Sequence, residues 1–271
     1  MLIHQKNKVI YLTFPHLGKL DCLTHAVSTK LGGVSTGSYK SLNISFNVGD
    51  EPGNVLENRR LLCAALGLDS NSVVTGEQVH GTHIQIVTPT SKRGNSVARG
   101  NIFPETDVLI TKMQGISLQV MIADCPALLF FDPEHHVVAL AHAGWQGSLE
   151  SIAGKAVKAM NQNFHTNPRK LHVGISPSIG PCCYEIGKVV LEKLTACFPG
   201  NCNNFLIAKP GGIFHLNLWK LNVYNLLAAQ VQPECIEVAN ICSTCSPELF
   251  YSYRKDKGQT GRFGLIASLR S

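Results

Sequence analysis

Three side chains in this 271-residue sequence combine types that could do chemistry together: His80 in Glu77-Gln78-Val79-His80-Gly81, Cys125 in Ala123-Asp124-Cys125-Pro126, and His142 in Ala141-His142-Ala143-Gly144. Two imidazoles and a thiolate form a borderline-soft donor set suited to Zn²⁺. Three protein ligands leave the fourth tetrahedral position open to water or substrate, the arrangement of catalytic zinc. The same types could instead form a nucleophile-base pair, with Cys125 activated by a histidine, or sit apart as ordinary core and surface residues. Copper accepts these ligands as well. Multicopper chemistry, however, needs many His in HxH-type clusters, and here only His135 and His136 are adjacent.

These side chains need rigid elements behind them. Between Ser117 and Gly147 two β-like apolar runs each stop at a reactive residue, the first at Asp124-Cys125 and the second at His142. Short runs bounded by Pro, Asp and Gly, with no polar helical face, read as buried strands. Asp132-Pro133-Glu134 is a turn between them, so the strands are expected to be neighbours, with Cys125 and His142 facing one cleft. Residues 8–14 and 23–29 are rich in β-branched and aromatic types and read as strands of a mixed sheet. Residues 30–37 form a glycine-rich loop that could approach a ligand, although its spacing is neither that of a phosphate loop nor of a dinucleotide fingerprint.

Asp50-Glu51-Pro52 opens a helix to about Gly67, with Val55, Leu62, Ala65 and Leu66 on its apolar face. Glu57, Asn58, Arg59 and Arg60 straddle its boundary or point away, so Arg59 reads as a solvated side chain as readily as a functional one. Residues 88–104 are polar and read as an exposed loop or lid. A strand resumes at 107–110. After His142, the stretch Gly144-Trp145-Gln146-Gly147 leads into a helix from about Leu149 to Phe164, whose free N–H groups suit an anion. Residues 171–175 and 236–239 read as strands, and 187–198 and 216–231 as helices. Residues 250–262 read as a strand and turn in which Arg254 and Arg262 could reach a phosphate. The vicinal Cys182-Cys183 reads as packing. Cys242 and Cys245 have CxxC spacing but no second CxxC or paired His in the sequence, so they read as loop thiols rather than as a zinc or redox site.

The composition narrows the classes of function. At 44% hydrophobic residues the chain can bury a large core, and no linker divides it, so residues 1–271 are expected to be one domain. No segment approaches the roughly 20 apolar residues of a membrane span, and no export signal is evident, which points to a cytoplasmic protein with its ten Cys reduced. The net charge of +6 is spread thinly, with no basic run interleaved with aromatics. That argues against nucleic acid and suits a small anion such as phosphate. Nothing in the sequence sets an oligomeric state.

Seven blocks, LGGVSTGSYKSLN, VGDEPGNVLENRRLL, EQVHG, ADCPALLFFD, HAGWQGSLESI, PSIGPCCYEIG and FYSYRKDKGQTGR, occur in an order that resembles the YfiH/YlmD family, also called laccase-domain or multicopper polyphenol oxidoreductases. The resemblance spans about Leu23 to Leu269. It implies an α/β fold, a single-domain sandwich of mixed β-sheets with flanking helices, and a zinc held by His80, Cys125 and His142. It also implies a purine nucleoside enzyme that cleaves adenosine, inosine or methylthioadenosine with phosphate and deaminates adenosine with water. Asn43 and Arg59 become candidates for holding phosphate or ribose. The alternatives are a copper polyphenol oxidase and a Cys/His-dependent hydrolase or editing factor acting on cell-wall precursors. The chain departs from the family pattern at Gln146, where Arg is usual, and at Lys30, where Arg is common; Lys keeps the charge but loses bidentate geometry.

Overall fold

The computed structural model describes residues 1–88 and 102–270. The strands in chain order are Leu2–Lys6 (β1), Val9–Thr13 (β2), Leu23–Ser28 (β3), Val73–Thr75 (β4), Ile84–Ile86 (β5), Val108–Thr111 (β6), Ser117–Ile122 (β7), Ala127–Asp132 (β8), Val137–His142 (β9), His172–Ile175 (β10), Glu185–Ile186 (β11), Leu206–Lys209 (β12), Ile213–Leu216 (β13), Ile236–Val238 (β14) and Phe263–Leu269 (β15). The helices are Pro52–Leu66 (α1), Trp145–Leu149 (α2), Ile152–Phe164 (α3), Lys188–Cys197 (α4) and Leu218–Ala228 (α5). One sheet has the order β1-β2-β3-β15-β7-β4, a second β14-β10-β8-β9-β6-β5, and a small third β11-β13-β12. Both large sheets are mixed, because β4 runs parallel to β7, β5 to β6 and β10 to β14, while their other pairs are antiparallel.

The two-residue side-chain period explains the layering. Along β8, Ala127, Leu129 and Phe131 join the core between the sheets, where they meet Leu118, Val120 and Ile122 of β7 and Phe263 and Leu265 of β15. Leu128 and Phe130 point the other way, onto Ile152, Ala156, Val157 and Met160 of α3. Strands covered on both faces read as near-continuous apolar runs, which is why β8 and β9 show no polar alternation. On the outer face of the first sheet, Leu62 and Ala65 of α1 pack with Val9, Leu42 and Ile44. The expected mixed α/β sandwich with flanking helices is therefore the observed one.

Several local expectations change. The apolar stretch before His142 is three strands rather than two: β8 and β9 pair across the turn, but β7 lies in the other sheet, so Cys125 sits where the chain crosses between sheets. The helix after His142 begins at Trp145 and breaks at Ser151, which has a left-handed φ of 57°, before α3 starts. No strand covers 250–262; the strand is β15, which begins just beyond. The glycine-rich loop is fastened at its middle by the buried Asn58 amide: Asn58 Oδ1 accepts from Val34 N at 2.8 Å, and its Nδ2 donates to Ser35 Oγ and to the Asn43 carbonyl, both at 2.8 Å. The proposed lid at 88–104 lies mostly outside the described residues. Helix α1 ends as expected at Gly67, with φ 70°.

Candidate active site

Strand parity aims the first two groups. Val138 and Leu140 face the inter-sheet core, so His142, at the end of β9, faces it too. In the antiparallel neighbour β6, Val108 pairs with Ala141 and Leu109 faces the same core, which puts Asp107 beside His142 on that face. The two are joined twice: His142 N donates to Asp107 O at 2.8 Å, and His142 Nδ1 donates to Asp107 Oδ1 at 2.8 Å. Asp107 also accepts backbone N–H bonds from Val79 (3.2 Å), His80 (3.2 Å) and Gly81 (2.7 Å). One carboxylate thus orients His142, turning Nε2 toward Cys125, and fixes the loop that carries His80 in a left-handed conformation at φ 63°. The sequence marked Asp107 only as a strand start; a carboxylate in an otherwise apolar run was the available signal.

Cys125 follows Asp124, which has φ 85° and is pinned by Ser243 Oγ at 2.6 Å and Arg254 N at 2.7 Å. The donor atoms of His80, Cys125 and His142 all lie within 4.8 Å of one another, and the two imidazoles meet edge to face at 4.7 Å between centroids. Gly144 makes room for this, since a Cβ there would stand 2.7 Å from His80 Cδ2 and 3.4 Å from Cys125 Sγ. Burial pushes the Cys125 thiol up, but the charge and hydrogen bond of His142, with help from His80, outweigh it and bring it down to about 6. Burial pushes His142 down, whereas the Cys125 thiolate and the Asp107 carboxylate carry it up to about 9. A thiolate, two imidazoles and a carboxylate behind one of them suit a borderline-soft divalent metal such as zinc. The three expected ligands therefore converge on one point able to hold a metal.

They line a cleft of about 510 Å³ at the ends of β7 and β9, within the roughly 300–1,000 Å³ of small-molecule sites. Trp145, Tyr184 and Tyr253 supply aromatic faces, and Ser45, Arg254 and Arg262 supply polar ones. Arg254 lies over the Tyr184 ring at 5.3 Å and Arg262 over Tyr253 at 5.5 Å. Neither arginine has an ion-pair partner among the described residues. Both were anticipated, but as parts of a strand and turn.

Asn43 and Arg59 do not line the cleft; they stand behind it. Asn43 Nδ2 donates to Ser45 O (3.0 Å) and Asp50 Oδ2 (2.8 Å), while its Oδ1 accepts from Arg262 N (2.9 Å), so it positions two cleft residues. Arg59 is buried rather than solvated, with Nε donating to Ile44 O at 2.8 Å and its guanidinium 4.6 Å from the Phe46 ring centre. Burial pushes it down to about 10, so it stays charged at neutral pH, again without an ion-pair partner among the described residues. Gln146 is half-buried in α2 and is not a lining residue. Lys30 borders a separate depression. Cys182, Cys183, Cys242 and Cys245, expected to be unrelated thiols, meet in a second cluster.

The fold and sequence have close counterparts. The crystal structure of YlmD from Geobacillus stearothermophilus superposes with a TM-score of 0.91 at 35% identity, covering 99% of each chain. That species' YlmD, named a purine nucleoside phosphorylase, is 37% identical over 236 residues, 87% of this chain and 86% of its own. A protein of an unknown prokaryotic organism named adenosine deaminase RL5 is 30% identical over 239 residues, 88% of this chain and 90% of its own. The family model described as "Multi-copper polyphenol oxidoreductase laccase" matches residues 24–270. This chain accordingly belongs to that family, the YfiH/YlmD family its sequence blocks resemble.

Proposed function

We propose that this chain is a zinc-dependent purine nucleoside phosphorylase acting on adenosine, inosine and methylthioadenosine, with an accompanying adenosine deaminase activity. The observation that carries this reading is the pairing, in one cleft, of the His80/Cys125/His142 group with two arginines that no described carboxylate neutralises. The names of the relatives support it, since they include both a phosphorylase and a deaminase.

Each role follows from the side chains present. Zinc on this group would supply Lewis acidity and lower the pKa of bound water toward about 7. Cys125 serves as a ligand thiolate, a state its histidine neighbours already favour. Asp107 holds His142 in the tautomer that presents Nε2. Trp145, Tyr184 and Tyr253 offer flat apolar faces for a purine, as aromatic rings do for one another. Arg262 and Arg254 bind phosphate and neutralise its charge as it attacks, while Arg59 adds positive potential from beneath and Asn43 fixes the Arg262 backbone. Deamination is a different displacement, in which water adds at C6 of adenosine and ammonia leaves, so it needs adenosine seated with its base toward the His80/Cys125/His142 group and no bound phosphate. A multicopper oxidase would need further His clusters, and among the described residues the remaining soft-donor group is all cysteine.

A panel of adenosine, inosine and methylthioadenosine, each assayed with and without phosphate, tests the reading. Phosphate-dependent release of free base by zinc-loaded protein is the expected result. Turnover of phenols or of peptide precursors, with every nucleoside intact, would overturn it.

A further inference from the structure

Cys182 and Cys183 lie in a tight turn in which Cys183 N and Tyr184 N both donate to Gly180 O, at 2.9 and 3.0 Å. Cys242 and Cys245 belong to a segment that the backbone ties to this turn: Ser178 N donates to Ile241 O at 3.2 Å and Ser243 N to Ser178 O at 2.9 Å. Two pairs of thiols about sixty residues apart in sequence are thereby brought together. Cys245 Sγ lies 3.6 Å from Cys182 Sγ and 3.4 Å from Cys183 Sγ, and all four sulfurs fall within 4.8 Å of one another. Four thiolates on a tetrahedral zinc, with Zn–S about 2.3 Å, stand about 3.8 Å apart, close to these separations. A disulfide would need sulfurs about 2.05 Å apart, and all four cysteines are free. Gly180 N donates to Cys242 Sγ at 3.2 Å, the kind of N–H contact that steadies a ligand thiolate. Cys182 and Cys245 are exposed, which leaves a path for a metal to enter, and Cys242 is buried.

We propose that Cys182, Cys183, Cys242 and Cys245 form a second, structural metal site for a thiophilic divalent cation of the zinc class, closed by four sulfurs and separate from the His80/Cys125/His142 group. The joined segments are walls of the cleft: Ile179 and Tyr184 flank the first pair, and Tyr253 and Arg254 follow the second. Ser243, inside the CxxC, also donates to Asp124, the residue before Cys125. The metal would therefore act as a clamp on the cleft wall, with four protein ligands and no open position for chemistry.

Metal content of the full chain, purified under reductant without chelator, reads the site independently of any activity. Two zinc per wild-type chain are expected, with one in Cys125→Ala and one in Cys245→Ser. Cys245→Ser should also melt roughly 5 °C or more lower, because a structural metal adds its binding energy to folding. If Cys245→Ser fails to fold, cobalt(II) titration of Cys125→Ala replaces it. There the first group is already broken, and one equivalent of cobalt should give the thiolate charge-transfer and intense visible bands of a tetrahedral all-sulfur site. One zinc per wild-type chain, unchanged in Cys245→Ser, would overturn the proposal. So would an intact mass 2 Da low under non-reducing conditions with no second metal, or a cobalt complex of Cys125→Ala lacking those bands. None of these results depends on nucleoside turnover, so the functional reading can fail without the site failing.

Discussion

The His80/Cys125/His142 group and the four-cysteine group each gather soft donors within 4.8 Å, yet they are built in opposite ways. The first mixes nitrogen with sulfur, has three donors, lines a cleft, and is held from behind by the Asp107 carboxylate. The second is all sulfur, has four donors, and lies at the surface where two segments cross. Donor number and what stands behind each donor separate a centre for chemistry from a clamp: an unfilled coordination position is useful only where a substrate can reach it.

The largest expected effect that tests this contrast is on the first group. Cys125→Ala should abolish metal binding there and lower nucleoside turnover by well over ~100-fold, beyond the cost of losing a mere supporting residue. Retained turnover would reduce the cleft group to packing. Asp107→Asn keeps the volume but removes the carboxylate that orients His142, and should weaken metal affinity or activity by roughly 10–100-fold. Isothermal titration with zinc, measured beside turnover, checks it. An unchanged affinity would mean that the strand pairing alone positions His142.

Arg262→Ala separates the two reactions of the cleft. A charge-assisted contact is worth about 1.5–3 kcal/mol, so phosphorolysis should fall about tenfold to a hundredfold while deamination changes little. Equal loss in both would assign Arg262 to the nucleoside. The smallest expected effect on activity comes from His25, outside both groups. Its Nε2 accepts a buried hydrogen bond from Phe14 N at 2.9 Å, and burial pushes its pKa down to about 4. A lowered folded pKa gives stability that is fully present above about 6.5 and is lost as pH falls through about 4. Thermal scans should therefore show a melting temperature lower by roughly 5 °C between pH 6.5 and 4.5, and a shallower slope in His25→Gln. Any acid effect at the two donor groups has to be read against that background. An identical slope in the variant would move the acid sensitivity to the ligands themselves.

How much of this was legible in the chain differs element by element. Helix α1, with its Pro start and Gly67 stop, and strands β2, β3, β10 and β14 could be read from local periodicity and end signals, because those depend on neighbours in sequence. The short strands β12 and β13 were missed; they are half-exposed, with Ile207 and Ile213 about 40% exposed, and carry little apolar pattern. The reactive types of His80, Cys125 and His142 were visible, and the block resemblance named them as one set. What the sequence could not show is distance between remote segments. Burial of Arg59 depended on which face of α1 met Phe46 and Ile44, and the role of Asp107 depended on the β6–β9 register. The four cysteines read as unrelated because Cys182-Cys183 and Cys242/Cys245 approach only through the bridge between Ser178 and Cys242. Residue type and local pattern set the available chemistry, whereas strand register and loop crossing decided which groups stand within bonding distance, since those contacts form only when the chain closes on itself.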